Sequence, residues 1–448
     1  MKNLYARTTA ARSLIRLLVC FAAVLLLFLP SRALAAEADD VKPDNGIPVV
    51  YINIDEDQGT IADMLASPDH SVYCYGTISI DAPEGFHYCD FPDSACESVK
   101  NLAMSIRGRG NSTWTYEEND KRPFKVKLDK KADLFGLGKN KHWALLANVY
   151  DPTLIRNRIT GWLGEQMGLE FTPRGVPVDL VMTGSRSGST YLGSYYFTET
   201  VRIDKNRIEI DELEEKDSEE PAITGGYLLQ GASQTDPADP NIIHTKKGDP
   251  WVLDTPYFDD EYQNQAQFDY IKNYILDFEK TLMSGSLSYR DQMDITSAAR
   301  YWLASEFPLN DDRYTSGSTY IYKTRDTDQG PGKIFWGPLW DYDLAYGNFY
   351  TDYDQPVGIT HDWVKALMHD KKAGGFIKEI SKQWPVMKSA LLDMTSDGGI
   401  IDQYYQETKA SAKENYKLYD PDPAAYGREE AFSYKTSIKE LKTWIRNR

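Results

Sequence analysis

Positive charge is in short supply in this 448-residue sequence: Lys plus Arg number 50 against 67 Asp plus Glu, for a formal net charge of −17. General nucleic-acid binders displace counterions with a basic surface, so a deficit of this size excludes that class. Histidine and cysteine are scarce too, at 6 and 4. No HExxH pair and no paired Cys-x-x-Cys occurs, which removes the common zinc motifs. A serine-hydrolase elbow is missing, because Gly184-Ser185-Arg186-Ser187-Gly188 misplaces its serines. Walker A and dinucleotide fingerprints are also absent. The sequence has one long apolar run, Leu17 to Leu29, and it falls short of the roughly 20 residues that a membrane span needs.

That run has a purpose of its own. Lys2, Arg7, Arg12 and Arg16 precede it, and Pro30, Ser31 and the small-residue site Ala33-Leu34-Ala35 follow. Residues 1–35 are therefore expected to be a secretory signal peptide, with an uncleaved N-terminal anchor as the alternative. The mature chain would start near Ala36 and work outside the cytoplasm, secreted or at the cell surface, with no membrane attachment after cleavage. Cys20 leaves with the leader. Cys74, Cys89 and Cys96 remain, and an oxidising compartment makes one disulfide among them an expectation, with the pair left open.

Aromatics are what the chain has in quantity, with 30 Tyr and 10 Trp. Residues 36–46 form a polar lead-in, and 47–100 carry β-branched, strand-like runs such as IPVVYINI and SVYCYGTISI. Further strands are expected at MSIRGRG, PFKVKL, HWALLANV, VPVDLVMTG, TYLGSYYFTETV and GGYLLQG. A helix from about Pro152 to Met167 interrupts them. Beyond Asn264 the periodicity becomes helical over 265–283, 294–307, 360–369, 374–393, 400–418 and 428–446. A strand pair, STYIYK and GKIFWGPLWDYD, breaks that series. The fold class is α+β, with a β-rich first half, a helical second half and a natural ligand cleft where they join.

Three polar clusters stand out. Arg107-Gly108-Arg109-Gly110-Asn111-Ser112-Thr113-Trp114 closes one strand and leads to Lys125 and Lys127 on the next. Free backbone N–H groups beside cations make a phosphate cradle, although a solvated β-turn has the same composition. Lys125 and Lys127 share one strand face, opposite Phe124, Val126 and Leu128. The second cluster is Glu306, Asn310, Asp311 and Asp312. The third, Trp340-Asp341-Tyr342-Asp343, lies in an apolar stretch where carboxylates are costly unless paired, protonated or bound to a cation. Asp312, Asp341 and Asp343 together could hold a hard divalent cation such as Mg²⁺. Paired acids also fit a glycosidase, but that reading leaves the Arg-Gly-Asn turn and the strand lysines unexplained.

These blocks carry a resemblance. RGRGNSTW, KRPFKVKL, DLFGLGKNKHWALLANVYDPTLIRNRI, MGLEFTPRGVPVDLVMTG, YLGSYYFTETV, GGYLLQ, NDD and GPLWDYDLAYGN resemble, in order, the spore-coat CotH kinase-like family. The resemblance covers about residues 101–448, behind a short linker and β-rich segment at 36–100. It implies an atypical two-lobed protein-kinase-like fold that uses ATP with Mg²⁺ or Mn²⁺ to phosphorylate Ser or Thr of a protein, at a spore coat or cell surface. Carried over by motif, Lys127 first and Lys125 second would meet the nucleotide phosphates, within a site that also takes Arg107, Asn111, Ser112 and Glu199. Asp312 would be the catalytic acid residue, Asp341 the metal-binding Asp, and Asp343 an assistant. Ser318 stands where active members tend to have an Asn metal ligand, and the Asp312–Asp341 interval looks longer than in those members. A weakly active or inactive relative serving as a binding or structural protein is the second reading.

Overall fold

The computed structural model describes residues 41–448 apart from 94, 116–119, 233–238, 260, 311, 313–316, 356–360 and 420–432. The expected signal peptide and Asp311 therefore lie outside the described residues.

The chain first builds a closed barrel. In chain order the elements up to its last strand are β1 (Val49–Ile54), α1 (Ile61–Ala66), β2 (Cys74–Asp81), β3 (Val99–Gly108), α2 (Ser112–Thr115), β4 (Phe124–Asp133), β5 (Lys139–Leu146), α3 (Arg156–Gln166), β6 (Gly175–Gly184) and β7 (Gly188–Glu199), of which α3 buries Ile159 and Leu163 in a second core. The strand order is β1-β2-β3-β4-β5-β7-β6, and a parallel β1–β6 pairing, Ile52 against Met182, closes it. Alternation drives the assembly: Ile52, Ile106, Val126, Leu145, Val178 and Phe197 point inward and are fully buried. Each such side chain contributes about 1.5–3 kcal/mol. The 36–100 segment supplies β1, β2 and the first two residues of β3, so its strands belong to the same sheet as those that follow.

The second half builds on another sheet, ordered β12-β11-β8-β10-β9. Its strands are β8 (Tyr227–Gly231), β9 (Ile242–Ile243), β10 (Trp251–Thr255), β11 (Tyr320–Lys323) and β12 (Ile334–Trp336). Around it pack α4 (Gln265–Met283), α5 (Tyr289–Gln292), α6 (Ile295–Glu306), α7 (Asp362–Leu367), α8 (Phe376–Thr395), α9 (Ile400–Leu418) and α10 (Tyr434–Asn447). Caps start the helices where the sequence offers them. Asn264 accepts the Gln267 N–H at 3.2 Å and Asp294 accepts the Ser297 N–H at 2.6 Å, each contributing about 1 kcal/mol. In α4, Ile271, Ile275, Phe278 and Leu282 form the helical stripe that enters the second core. The α+β class, β-rich first and helix-rich second, is thus the observed one.

Helix α9 crosses back onto the barrel. Ser411 donates to Asp179 on β6 at 2.6 Å, and the Ser194 N–H on β7 reaches Asn415 at 3.2 Å. Strand β6 is consequently covered on both faces, which is why GVPVDLVMTG is nearly continuously apolar instead of alternating.

Two expectations are corrected here. FWGPLWDYD is not one strand: pairing stops at Trp336, because Gly337 turns with φ 116° and Pro338 has no N–H for a ladder. The expected disulfide is not formed, and Cys74, Cys89 and Cys96 are all free thiols. Cys74 is buried in the barrel core with its Sγ 3.3 Å from the Thr60 carbonyl. Cys96 packs against that same core, whereas Cys89 packs against the other one.

Candidate functional site

A cleft of about 840 Å³ opens between the barrel and the second sheet. One wall is barrel, with Arg107, Arg109, the 110–113 turn, Lys125 and Asn148, and Asn157 of α3 lies beside it. The other carries Gln230, Asp312, Ser318, Tyr320, Trp340, Asp341 and Asp343. Cations therefore face carboxylates across one space.

The barrel wall takes its shape from glycines that nothing larger can replace. A Cβ on Gly108 would lie 2.4 Å from the Trp114 ring, and Gly110 turns with φ 91°. Trp114 is buried under the turn and donates its indole N–H to the Ser67 carbonyl at 2.9 Å. Asn111 and Ser112 stay exposed at the cleft edge. Behind them, Lys125 on β4 pairs in register with Arg107 on β3. Burial lowers the Lys125 pKa, and the nearby Arg107 adds to the effect. Lys127 shares its face but is exposed and does not line the cleft. Glu199 is fully buried away from the cleft lining, paired with Arg207 at 2.5 Å and accepting the Arg174 N–H at 2.8 Å.

On the opposite wall a loop presents the acids. Asp341 adopts a left-handed φ of 65°, a conformation that Asp tolerates better than most residues. Ser318 donates to its carboxylate at 3.3 Å, and Asn310 donates to its carbonyl at 3.4 Å while accepting the Asp312 N–H at 3.4 Å. One amide thereby ties Asp312 to Asp341. Burial raises the Asp341 pKa, opposed by the Arg109 guanidinium. Asp343, 9% exposed, is held well above the usual carboxylate range by burial, with the charge of Asp341 adding to it. Arg109 stacks 5.5 Å over the Trp340 ring, and burial lowers its pKa in turn.

Among the described residues, no group of three or more His, Cys, Asp or Glu side chains is gathered tightly enough to hold a metal alone. Mg²⁺ asks for less: it keeps several waters and takes one or two carboxylates along with substrate phosphates. Two adjacent desolvated acids, Asp341 and Asp343, with the Ser318 hydroxyl beside them, fit that donor set.

The structure thus brings together Arg107, Asn111, Ser112, Lys125, Asp312, Ser318, Asp341 and Asp343, and leaves Lys127 and Glu199 off the cleft lining. Arg109, Asn148, Asn157, Gln230, Tyr320 and Trp340 line it as well. Arg109 was within reach of the sequence, in the same RGRG turn as Arg107. Asn157 and Gln230 had no local signal, because pairings distant in sequence bring them there.

Fold and site together define an α+β protein with a cation-and-carboxylate cleft between a closed barrel and a helix-backed sheet. The model of one family, CotH kinase protein, matches residues 106–448, and the chain belongs to that family. No curated protein matches the chain. Among the described residues no helix is long and apolar enough to cross a membrane.

Proposed function

We propose that this protein is a secreted protein kinase of the CotH type, with barrel and helical half acting as the two lobes of an atypical kinase. It would transfer the γ-phosphate of ATP to Ser or Thr of a protein at a spore coat or cell surface, with Mg²⁺ or Mn²⁺. The leader-like residues 1–35 support export. The observation that carries the reading is the opposition of Lys125 and Arg109 to Asp341 and Asp343 across one cleft, with Asp312 beside the acids.

The residues divide the work in a way that phosphoryl transfer requires. Little covalent help is needed, so positioning and charge neutralisation dominate. Lys125, Arg109 and the N–H groups of the 110–113 turn would bind and orient the nucleotide phosphates. Asp341 and Asp343, with Ser318, would hold the divalent cation, which when bound neutralises charge on the phosphates. Asp312 would orient the acceptor hydroxyl. As the new oxygen–phosphorus bond forms and the bond to ADP breaks, it takes the hydroxyl proton.

The test uses the chain without its leader, labelled ATP, Mg²⁺ or Mn²⁺, and the variants Asp341→Asn and Asp312→Asn. Label on protein with wild type, lost in both variants, is the expected result. Absence of transfer and of metal-dependent ATP binding in wild type would remove the catalytic account in favour of a surface binding protein.

A further inference from the structure

The Asp341–Asp343 loop is held by residues far from it in sequence. Helix α3 leaves the barrel between β5 and β6, and its second residue, Asn157, reaches across 185 residues of sequence to accept the Tyr342 N–H at 2.7 Å. Tyr342 is 1% exposed, so that N–H would otherwise be buried without a partner, at a cost of about 1–3 kcal/mol. It also belongs to the residue that stands between the two acids. Arg156 donates from Nε to the Ala345 carbonyl at 2.9 Å, and Asp151 holds Arg156 in a buried ion pair. Asn348 closes the far end, donating to the carbonyls of Tyr150 and Asp343, both at 2.7 Å.

Strain gives this bracing a purpose. A non-glycine residue in the left-handed region persists where its surroundings over-determine it. Here Asp341 stands at φ 65° immediately before the N–H that Asn157 captures. Released from that bond, the peptide could rotate, and the two carboxylates would no longer point at one spot.

We infer that Asn157 is a positioning residue: through the Tyr342 N–H it fixes the direction of the Asp341 and Asp343 carboxylates toward a shared divalent cation. The inference rests on the metal-dependent reading above. Asn157 touches the backbone of the loop, so its effect is carried by geometry rather than by its own chemistry.

The test compares Asn157→Leu, of similar shape without an acceptor, with Asn157→Asp, of similar shape with the acceptor kept. Mn²⁺ binding is measured calorimetrically in the presence of a non-hydrolysable ATP analogue, and exchange of the Tyr342 amide hydrogen is followed alongside. Asn157→Leu is expected to weaken Mn²⁺ binding by about 10–100-fold, the usual cost of losing an outer-shell partner, and to speed Tyr342 exchange. Asn157→Asp is expected to keep both near wild type. Wild-type Mn²⁺ affinity in Asn157→Leu despite faster exchange would overturn the inference, as would equal losses in the two variants. Absence of Mn²⁺ binding in wild type would instead remove the metal-dependent reading, and the inference with it.

Discussion

Arg158 on α3, a helix that packs Ile159 and Leu163 into the second core, forms a 2.6 Å ion pair with Glu407 on α9. Asp90 meets the same guanidinium at 2.6 Å, and the Tyr404 ring stacks 3.8 Å from it. The neighbouring charges of Asp90 and Glu407 hold the Arg158 pKa well above its usual value despite its burial. Removing the cation would strand two carboxylates in a largely desolvated interface. Arg158→Met is expected to cost about 3–5 kcal/mol, read as a lower urea midpoint.

Acid should loosen the barrel near the cleft. His142 on β5 has its pKa pushed down to about 3 by burial first, then by Arg202, Lys125 and Lys127. The unfolded chain, titrating near 6.5, binds more protons than the folded one between those values. Stability from this group is therefore complete above pH 6.5 and is lost progressively as pH falls toward 3. His142→Gln should flatten that part of a plot of Tm against pH. A mutant curve parallel to wild type would show that other groups govern the acid limb.

The two strand lysines separate cleanly. Lys125 lines the cleft and Lys127 does not. On the kinase reading, Lys125→Met should lower kcat/KM for ATP by about 100-fold or more, while Lys127→Met stays within about threefold. Steady-state kinetics on the two variants reads this directly, and the reverse order would move the nucleotide to the outer barrel surface.

The sequence carried the lysine alternation, because strand period alone sets which side chains share a face, and Phe124, Val126 and Leu128 are buried as that period requires. It also carried the order of strands and helices and the polar clusters now lining one cleft. Two features escaped it for physical reasons. The apolar texture of FWGPLWDYD resembles a strand, and no periodicity reveals a left-handed Asp341 or the distant Asn157 that holds the next peptide. The thiols were close in sequence, but spacing says nothing of orientation, and Cys74 faces the barrel interior.

The parallel β1–β6 seam sets the smallest piece of this protein worth expressing. The family match begins at residue 106, yet β1 and β2 lie wholly before it, as does most of β3. A fragment trimmed to that boundary would be a torn cylinder, with raw backbone donors and acceptors along β4 and β6 ready to pair with a neighbouring copy. Such a fragment is expected to aggregate where a chain starting ahead of Val49 stays monodisperse by light scattering. The family's footprint is thus narrower than the unit that folds.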